Sequence, residues 1–310
     1  MNHLTLMKRA LSPIARGVLA IAVFIIAGKQ LLDALAKLDD PKVFFYIDYF
    51  SYGAVFYALG MAMFSLFWWR VTVFFGGHMA RMNCHRTYFL SQLGKYLPGK
   101  AWVIVIRCAL IPEDHLSLRV VAVSSLYETL TIMGSGALLS FMTLLVLGVG
   151  PKLLWLAFGL GVTLLALAHP PLSHWLAIFS LRCNSQAKSL SLPSWKALFK
   201  VIPIILLGWV LVGLSVVMAG FGIGTSFKNF YEMFLAMAGA GLAITAGFAV
   251  FVTPAGLGVR EWVLMQLLGP SIGTGQAALV AIAVRGLQVA SELCIGISFY
   301  FFRKGVGERA

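Results

Sequence analysis

Residues 88–111 read YFLSQLGKYLPGKAWVIVIRCALI. The stretch is apolar enough to enter a bilayer, yet Lys95, Pro98, Gly99 and Lys100 stand in its middle. The apolar run behind them, Ala101 to Ile106, falls far short of the ~20 residues that a crossing needs. Proline and glycine break a helix there, one by removing a donor and the other by its conformational freedom. The same oddity recurs in the second half of the chain. Tyr231 to Val252 is built of small apolar residues and stops at TPAGLGVRE (253–261), followed by a short apolar piece, Trp262 to Leu268, and Gly269-Pro270. These two interrupted segments decide how the rest of the chain is laid out.

The composition around them is that of a membrane protein. Of 310 residues, 60% are hydrophobic and 11% charged, against ~25% charged in an ordinary soluble domain. Mean hydropathy is +0.90. So few charges cannot clothe a water-facing surface, which excludes a soluble globular enzyme, and so apolar a chain is not disordered. Short polar breaks divide it into apolar runs at Gly17–Leu32, Tyr49–Trp69, Val120–Leu147, Leu153–Leu167, Val201–Phe221 and Gln276–Phe302. The first follows Lys8, Arg9 and Arg16 and resembles a signal peptide. With Met1 at its head, it is expected to stay as an uncleaved first helix.

Lysine and arginine set the topology. They concentrate at 8–16, 70–119, 169–200 and 303–309, leaving Lys29, Lys37, Lys42, Lys152 and Lys228 in the stretches between, and Arg260 and Arg285 within apolar segments. The positive-inside rule places the rich stretches, and both termini, in the cytoplasm. Parity then requires 88–111 to enter from the cytoplasm and return to it, and 231–270 to enter from outside and return outside. The expected fold is an all-α polytopic protein with six full transmembrane helices and two oppositely oriented re-entrant hairpins. The chain, 1–310, is a single integral membrane domain. It forms an inverted repeat of about 49–147 and about 201–302, each half placing a hairpin before a span that carries a glutamate, Glu128 or Glu292. Paired interrupted segments of this kind meet at the midplane and build a binding site. The hinges are Pro98 and Gly99 in the first hairpin, and Pro254, Gly256 and Gly258 in the second.

Charge inside a bilayer costs ~2.5–3.5 kcal/mol per residue on insertion scales, so each such residue has a partner or a task. Arg285, Gln288 and Glu292 share one helix face by their i, i+3, i+7 spacing. Arg260 and Glu261 stand at the second break; Lys95, Lys100 and Arg107 surround the first. Two readings are open. The set lines a polar cavity where lysine and arginine bind a lipid phosphate, with the glutamates fixing those cations or carrying protons. Alternatively the charges are buried ion pairs, such as Arg285–Glu292 and Arg260–Glu128, that hold the hairpins in place. The four cysteines, Cys84, Cys108, Cys183 and Cys294, and the scattered histidines show no metal spacing, so neither metal nor cofactor is expected.

LGKYLPGKAW (93–102) with Arg107 downstream, the intramembrane Glu128, and TPAGLGVRE (253–261) together resemble the flippase-like family typified by the transmembrane domain of lysylphosphatidylglycerol synthase. The resemblance runs over roughly residues 10–304. It implies a membrane domain that moves a polar-headed lipid between leaflets. In bifunctional relatives a soluble aminoacyltransferase domain follows the membrane part. This chain stops at Ala310, so the synthase activity is not expected here. Standalone relatives are associated with lipid-linked sugar or hopanoid pathways. Where many relatives have Pro-Gly-Gly, this chain has Pro254-Ala255-Gly256.

The expected function is therefore a flippase or transporter of a phosphate- or polar-headed lipid in the cytoplasmic (inner) membrane. The partners are that lipid and anionic lipid heads at the cytoplasmic loops, with a homo-oligomer or pathway enzyme as a further partner and no nucleic acid. The alternatives are a membrane-embedded transferase or accessory subunit of a lipid-linked glycan or lipid-modifying pathway, and a scaffold whose basic loops recruit a partner. A transferase presents several acidic residues together near an interface; the single, deep acids here favour transport.

Overall fold

The computed structural model describes residues 45–96, 102–111, 116–169, 195–250 and 254–306. Within them the protein is all-helical: α1 (Ile47–Phe74), α2 (Arg81–Gln92), α3 (Trp102–Leu110), α4 (Leu118–Val146), α5 (Pro151–Ala168), α6 (Trp195–Gly222), α7 (Phe230–Ala249), α8 (Val259–Ile272) and α9 (Thr274–Val306). Short 3-10 turns at Leu93–Tyr96 and Pro254–Gly256 stand between α2 and α3 and between α7 and α8. Six helices are long and apolar enough to cross a membrane, as a multi-pass membrane protein requires. Five of them, α1, α4, α5, α6 and α9, coincide with apolar runs read from the sequence. The expected first span, Gly17–Leu32, lies outside the described residues, as do Pro98, Gly99 and Lys100.

The sixth long helix is α7, which the sequence reading treats as the entering limb of the second hairpin. Its 20 residues reach about 30 Å at 1.5 Å per residue, the thickness of the hydrocarbon layer. It is also the most enclosed of the six, with 67% of its apolar window buried against 22–50% for the others. Small residues explain this. Ala236, Ala238, Gly239, Ala240, Gly241 and Ala243 are all buried, so neighbouring backbones come close. Hydroxyls secure the contact with α4: Ser140 Oγ donates to the Ala238 carbonyl at 2.7 Å and Thr245 Oγ1 to that of Met133 at 2.9 Å. From α6, Trp209 Nε1 donates to the Ile132 carbonyl at 3.1 Å.

Local chemistry sets the helix ends. Ser117 Oγ accepts from Val120 N–H and Asn229 Oδ1 from Glu232 N–H, capping α4 and α7. Pro151 begins α5, where a missing N–H costs nothing. The turn before α8 requires left-handed backbone: Ala255, Gly256 and Gly258 have φ of 49°, 72° and 80°. Gly256 there rests directly on Gly247 of α7, where a Cβ would sit 2.6 Å from the Gly247 Cα. The chain thus doubles back, and α8 packs along α7. In the first half, α3 packs back on α2 in the same way.

The two halves share an order of elements: helix, broken turn, shorter helix, then a long helix bearing a buried glutamate, Glu128 in α4 or Glu292 in α9. The two broken turns touch each other. Tyr96, at the end of the first, packs against Ala255 of the second and Val289 of α9.

Candidate functional site

Around this meeting point the protein gathers its buried charge. Glu292 is 4% exposed. One of its carboxylate oxygens receives Lys95 Nζ from the first broken turn and the Tyr57 hydroxyl from α1. The other accepts from the Tyr96 hydroxyl at 2.9 Å. Three donors from two elements, α1 and the first broken turn, therefore converge on one acid, as a buried carboxylate requires. Lys95 is less enclosed, with 19% of its side chain exposed.

One turn before Glu292 on α9 lies Gln288, and seven residues before it lies Arg285. With Arg260 and Glu261 of α8, both line a narrow cavity of about 20 Å³, walled by Val216, Ala243 and Leu264. It has room for a single water molecule. Arg285 Nη1 donates to the Ala255 carbonyl at 3.3 Å, and its Nε is 3.9 Å from Glu261 Oε1. Glu261 is itself tied to the backbone, since its Oε2 accepts Gly258 N–H at 2.7 Å. Two donors are left over: Arg260 Nε and Arg285 Nη2 are buried and have no hydrogen-bond partner. Unmet donors on buried cations are costly. Among the described residues, Lys95, Arg260 and Arg285 stand against Glu261 and Glu292, an excess of one positive charge. The Tyr96 ring links the groups, 5.4 Å from Lys95 Nζ and 5.9 Å from the Arg285 guanidinium carbon.

The other half holds a second buried pair. Arg107 of α3, fully buried, donates from Nη1 to Glu128 Oε2 at 2.8 Å and from Nε to Ser91 Oγ at 3.0 Å. Its guanidinium lies against two adjoining rings, 4.3 Å from Trp68 and 4.8 Å from Tyr88. Arg107 Nη2 also lacks a partner, but Arg107 lines neither described cavity. The larger of those, an apolar groove of about 670 Å³, runs between α1 and α9 along Ala54, Ala58, Gly286 and Ala290, with no charged residue among its lining.

The site residues expected from the sequence thus separate into groups. Lys95 and Glu292 meet directly, and Arg260, Glu261, Arg285 and Gln288 share one cavity beside them. Arg107 and Glu128 form a sealed pair of their own. Pro254, Gly256 and Gly258 lie at the second break. Lys100, Pro98 and Gly99 fall outside the described residues. The expected pairings Arg285–Glu292 and Arg260–Glu128 are replaced by Lys95–Glu292 and Arg107–Glu128. The reason is geometric: Arg285 and Glu292 are two helical turns apart on one rod, about 10 Å of rise, whereas the first broken turn delivers Lys95 onto Glu292. Sequence reasoning missed Tyr57, Tyr96, Tyr88, Ser91 and Trp68. Only Tyr96 carried a signal, adjacent to Lys95 within the broken stretch; the others lie on apolar faces indistinguishable from core. No group of three or more potential metal ligands occurs among the described residues. No protein-family model matches the chain, and no curated protein matches it in sequence.

Proposed function

We propose that the protein moves a lipid with a phosphate-bearing or otherwise anionic polar head between the leaflets of the cytoplasmic membrane, with both termini on the cytoplasmic side. The observation that carries this reading is the pair of partnerless donors, Arg260 Nε and Arg285 Nη2, on two arginines that line one cavity among α6, α7, α8 and α9. Guanidinium groups suit phosphate because their planar forks match its oxygens, and burial strengthens that attraction. A membrane protein leaves such donors unmet at a large cost unless something meets them. An anionic head supplies the missing acceptors and cancels the excess positive charge, while its hydrocarbon tails stay in the bilayer.

In this reading the α2–α3 and α7–α8 units are re-entrant hairpins that dip from opposite sides, related as an inverted repeat. Their breaks gate the head from the two water phases. The high burial of α7 fits a limb shielded by protein, the one setting in which non-helical backbone is tolerated at membrane depth. The resemblance to the flippase-like family points the same way.

The test is translocation of a fluorescent phosphatidylglycerol in liposomes. Arg260→Ala and Arg285→Ala are expected to lower the rate about tenfold or more, since each removes a charge-assisted contact worth ~1.5–3 kcal/mol. The variants should elute as the native protein does on size exclusion. Unchanged rates in folded variants would overturn the proposal.

A further inference from the structure

In the cavity lined by Arg260 and Arg285, hydrogen-bonding capacity and charge do not match. Each arginine keeps one unmet donor, Arg260 Nε and Arg285 Nη2. The third charged residue of the lining is Glu261. Its Oε2 is spent on Gly258 N–H at 2.7 Å, which pins the acid at the start of α8. Its Oε1 stands 3.9 Å from Arg285 Nε, beyond the ~2.7–2.9 Å of a charge-assisted hydrogen bond. The acid thus offsets one positive charge without occupying either unmet donor. The remaining walls are apolar apart from Gln288, so little else screens the three charges. Beside them Lys95 and Glu292 cancel each other. The site therefore offers donors for two contacts and charge for one anion. A single water fits the space and can meet both donors, but it is neutral and leaves the excess charge uncancelled.

We propose that Glu261 sets the charge of the lipid head: it limits the site to a head with one negative charge, a phosphate diester, and turns away a phosphate monoester. This rests on the headgroup reading above. Attraction to the site grows in proportion to the head's charge, while the cost of taking that charge out of water grows with its square. Arg260 and Arg285 against Glu261 leave one positive charge in the lining, which a monoanion matches. A monoester carries about −1.5 to −2 at pH 7 and brings charge that nothing cancels. With Glu261 neutral, the two arginines present both their charges, and the balance tips toward the dianion. Glu261 acts through its charge and needs no contact with the head, so it is a specificity residue and not a ligand. Arg107 and Glu128 provide no such site, since that pair is already neutral and Arg107 lines neither described cavity.

The experiment compares two lipids that differ by one methyl group on the phosphate. Short-chain phosphatidylmethanol is a diester with one negative charge; phosphatidic acid with the same tails is the monoester. Binding to the protein is measured in maltoside micelles, which carry no phosphate, at about pH 8, where the monoester is close to doubly charged. Only the part lost in the Arg260→Ala/Arg285→Ala double variant counts as binding to the cavity. The native protein is expected to hold phosphatidylmethanol about tenfold more tightly than phosphatidic acid. Glu261→Gln keeps a side-chain oxygen that accepts Gly258 N–H and removes the charge, and there the preference is expected to vanish or reverse. If that variant does not fold, Gln288→Glu adds a second acid to the same lining and is expected to weaken both lipids about tenfold or more. Equal binding of the two lipids by the native protein, or a stronger hold on phosphatidic acid, overturns the charge limit and leaves the headgroup site standing. An unchanged preference in folded Glu261→Gln, or unchanged binding in folded Gln288→Glu, overturns it equally. If neither lipid shows binding that depends on Arg260 and Arg285, the cavity holds water alone, the headgroup reading fails and the charge limit falls with it.

Discussion

Two acids at matching places in the two halves of the chain, Glu128 and Glu292, are both buried to within a few per cent, yet they keep different company. Glu128 faces an arginine with no exposed surface, held against two adjoining aromatic rings and bonded to a serine. Glu292 faces a lysine with a fifth of its side chain open, two tyrosine hydroxyls on separate elements, and a neighbouring cavity lined by two under-bonded arginines. Arginine's fixed fork suits a permanent joint, and lysine's mobile ammonium suits one that opens. This contrast supports the proposed reading, in which the acid is a fastening in the first half and part of a working site in the second. The choice of cation and the space beside it make the difference.

This contrast predicts unequal costs. Arg107→Ala, which leaves Glu128 as an uncompensated buried charge, is expected to destabilise the protein by about 3–5 kcal/mol, read as a large fall in thermal unfolding temperature in micelles. Glu292→Gln is expected to cost less, about 1–2 kcal/mol, because Lys95 can extend to water and the tyrosine hydroxyls can bond the amide. Equal losses in the two variants would erase the distinction between fastening and working site. The proposed inverted arrangement is sharpened by cysteines at Leu97 and Leu257, each expected to react with impermeant thiol reagents from one side of the membrane only, and from opposite sides. Labelling of both from one side contradicts the inverted repeat.

The smallest effect concerns the second break. Ala255 holds φ 49°, a conformation that costs a non-glycine residue roughly 1–2 kcal/mol. Ala255→Gly is expected to stabilise the protein by somewhat less than that, since glycine also loosens the unfolded chain. A lower unfolding temperature would show that the alanine methyl, through its contact with Tyr96, matters more than the strain.

Much of this arrangement was legible in the sequence. Long apolar runs bounded by basic residues marked α1, α4, α5, α6 and α9, because hydrophobic length alone separates such helices from loops. Proline and glycine beside charge marked both breaks. The pairing of charges was not legible, because a glutamate at 292 carries no mark of which distant cation will reach it. The 32-residue separation between Glu292 and Arg260 and the 197-residue one between Glu292 and Lys95 weigh alike in a sequence, and only folding of the first break against α9 chooses between the two segments. The apolar stretch that becomes α7 was legible too, as Tyr231 to Val252; charge parity, not weak hydropathy, set it apart from the spans, and its helix is as long as one. The tyrosines were invisible because a residue that donates one hydrogen bond from an apolar face has the same pattern as one that only packs.

The most direct measurement is native mass spectrometry of phospholipid retained by the purified protein and by the Arg260→Ala/Arg285→Ala double variant. The account predicts a phospholipid adduct on the native protein that is lost from the folded double variant and kept by Arg107→Lys, whose site lies in the sealed pair. Equal retention by the native protein and the double variant would contradict the assignment of the cavity lined by Arg260 and Arg285 as the headgroup site.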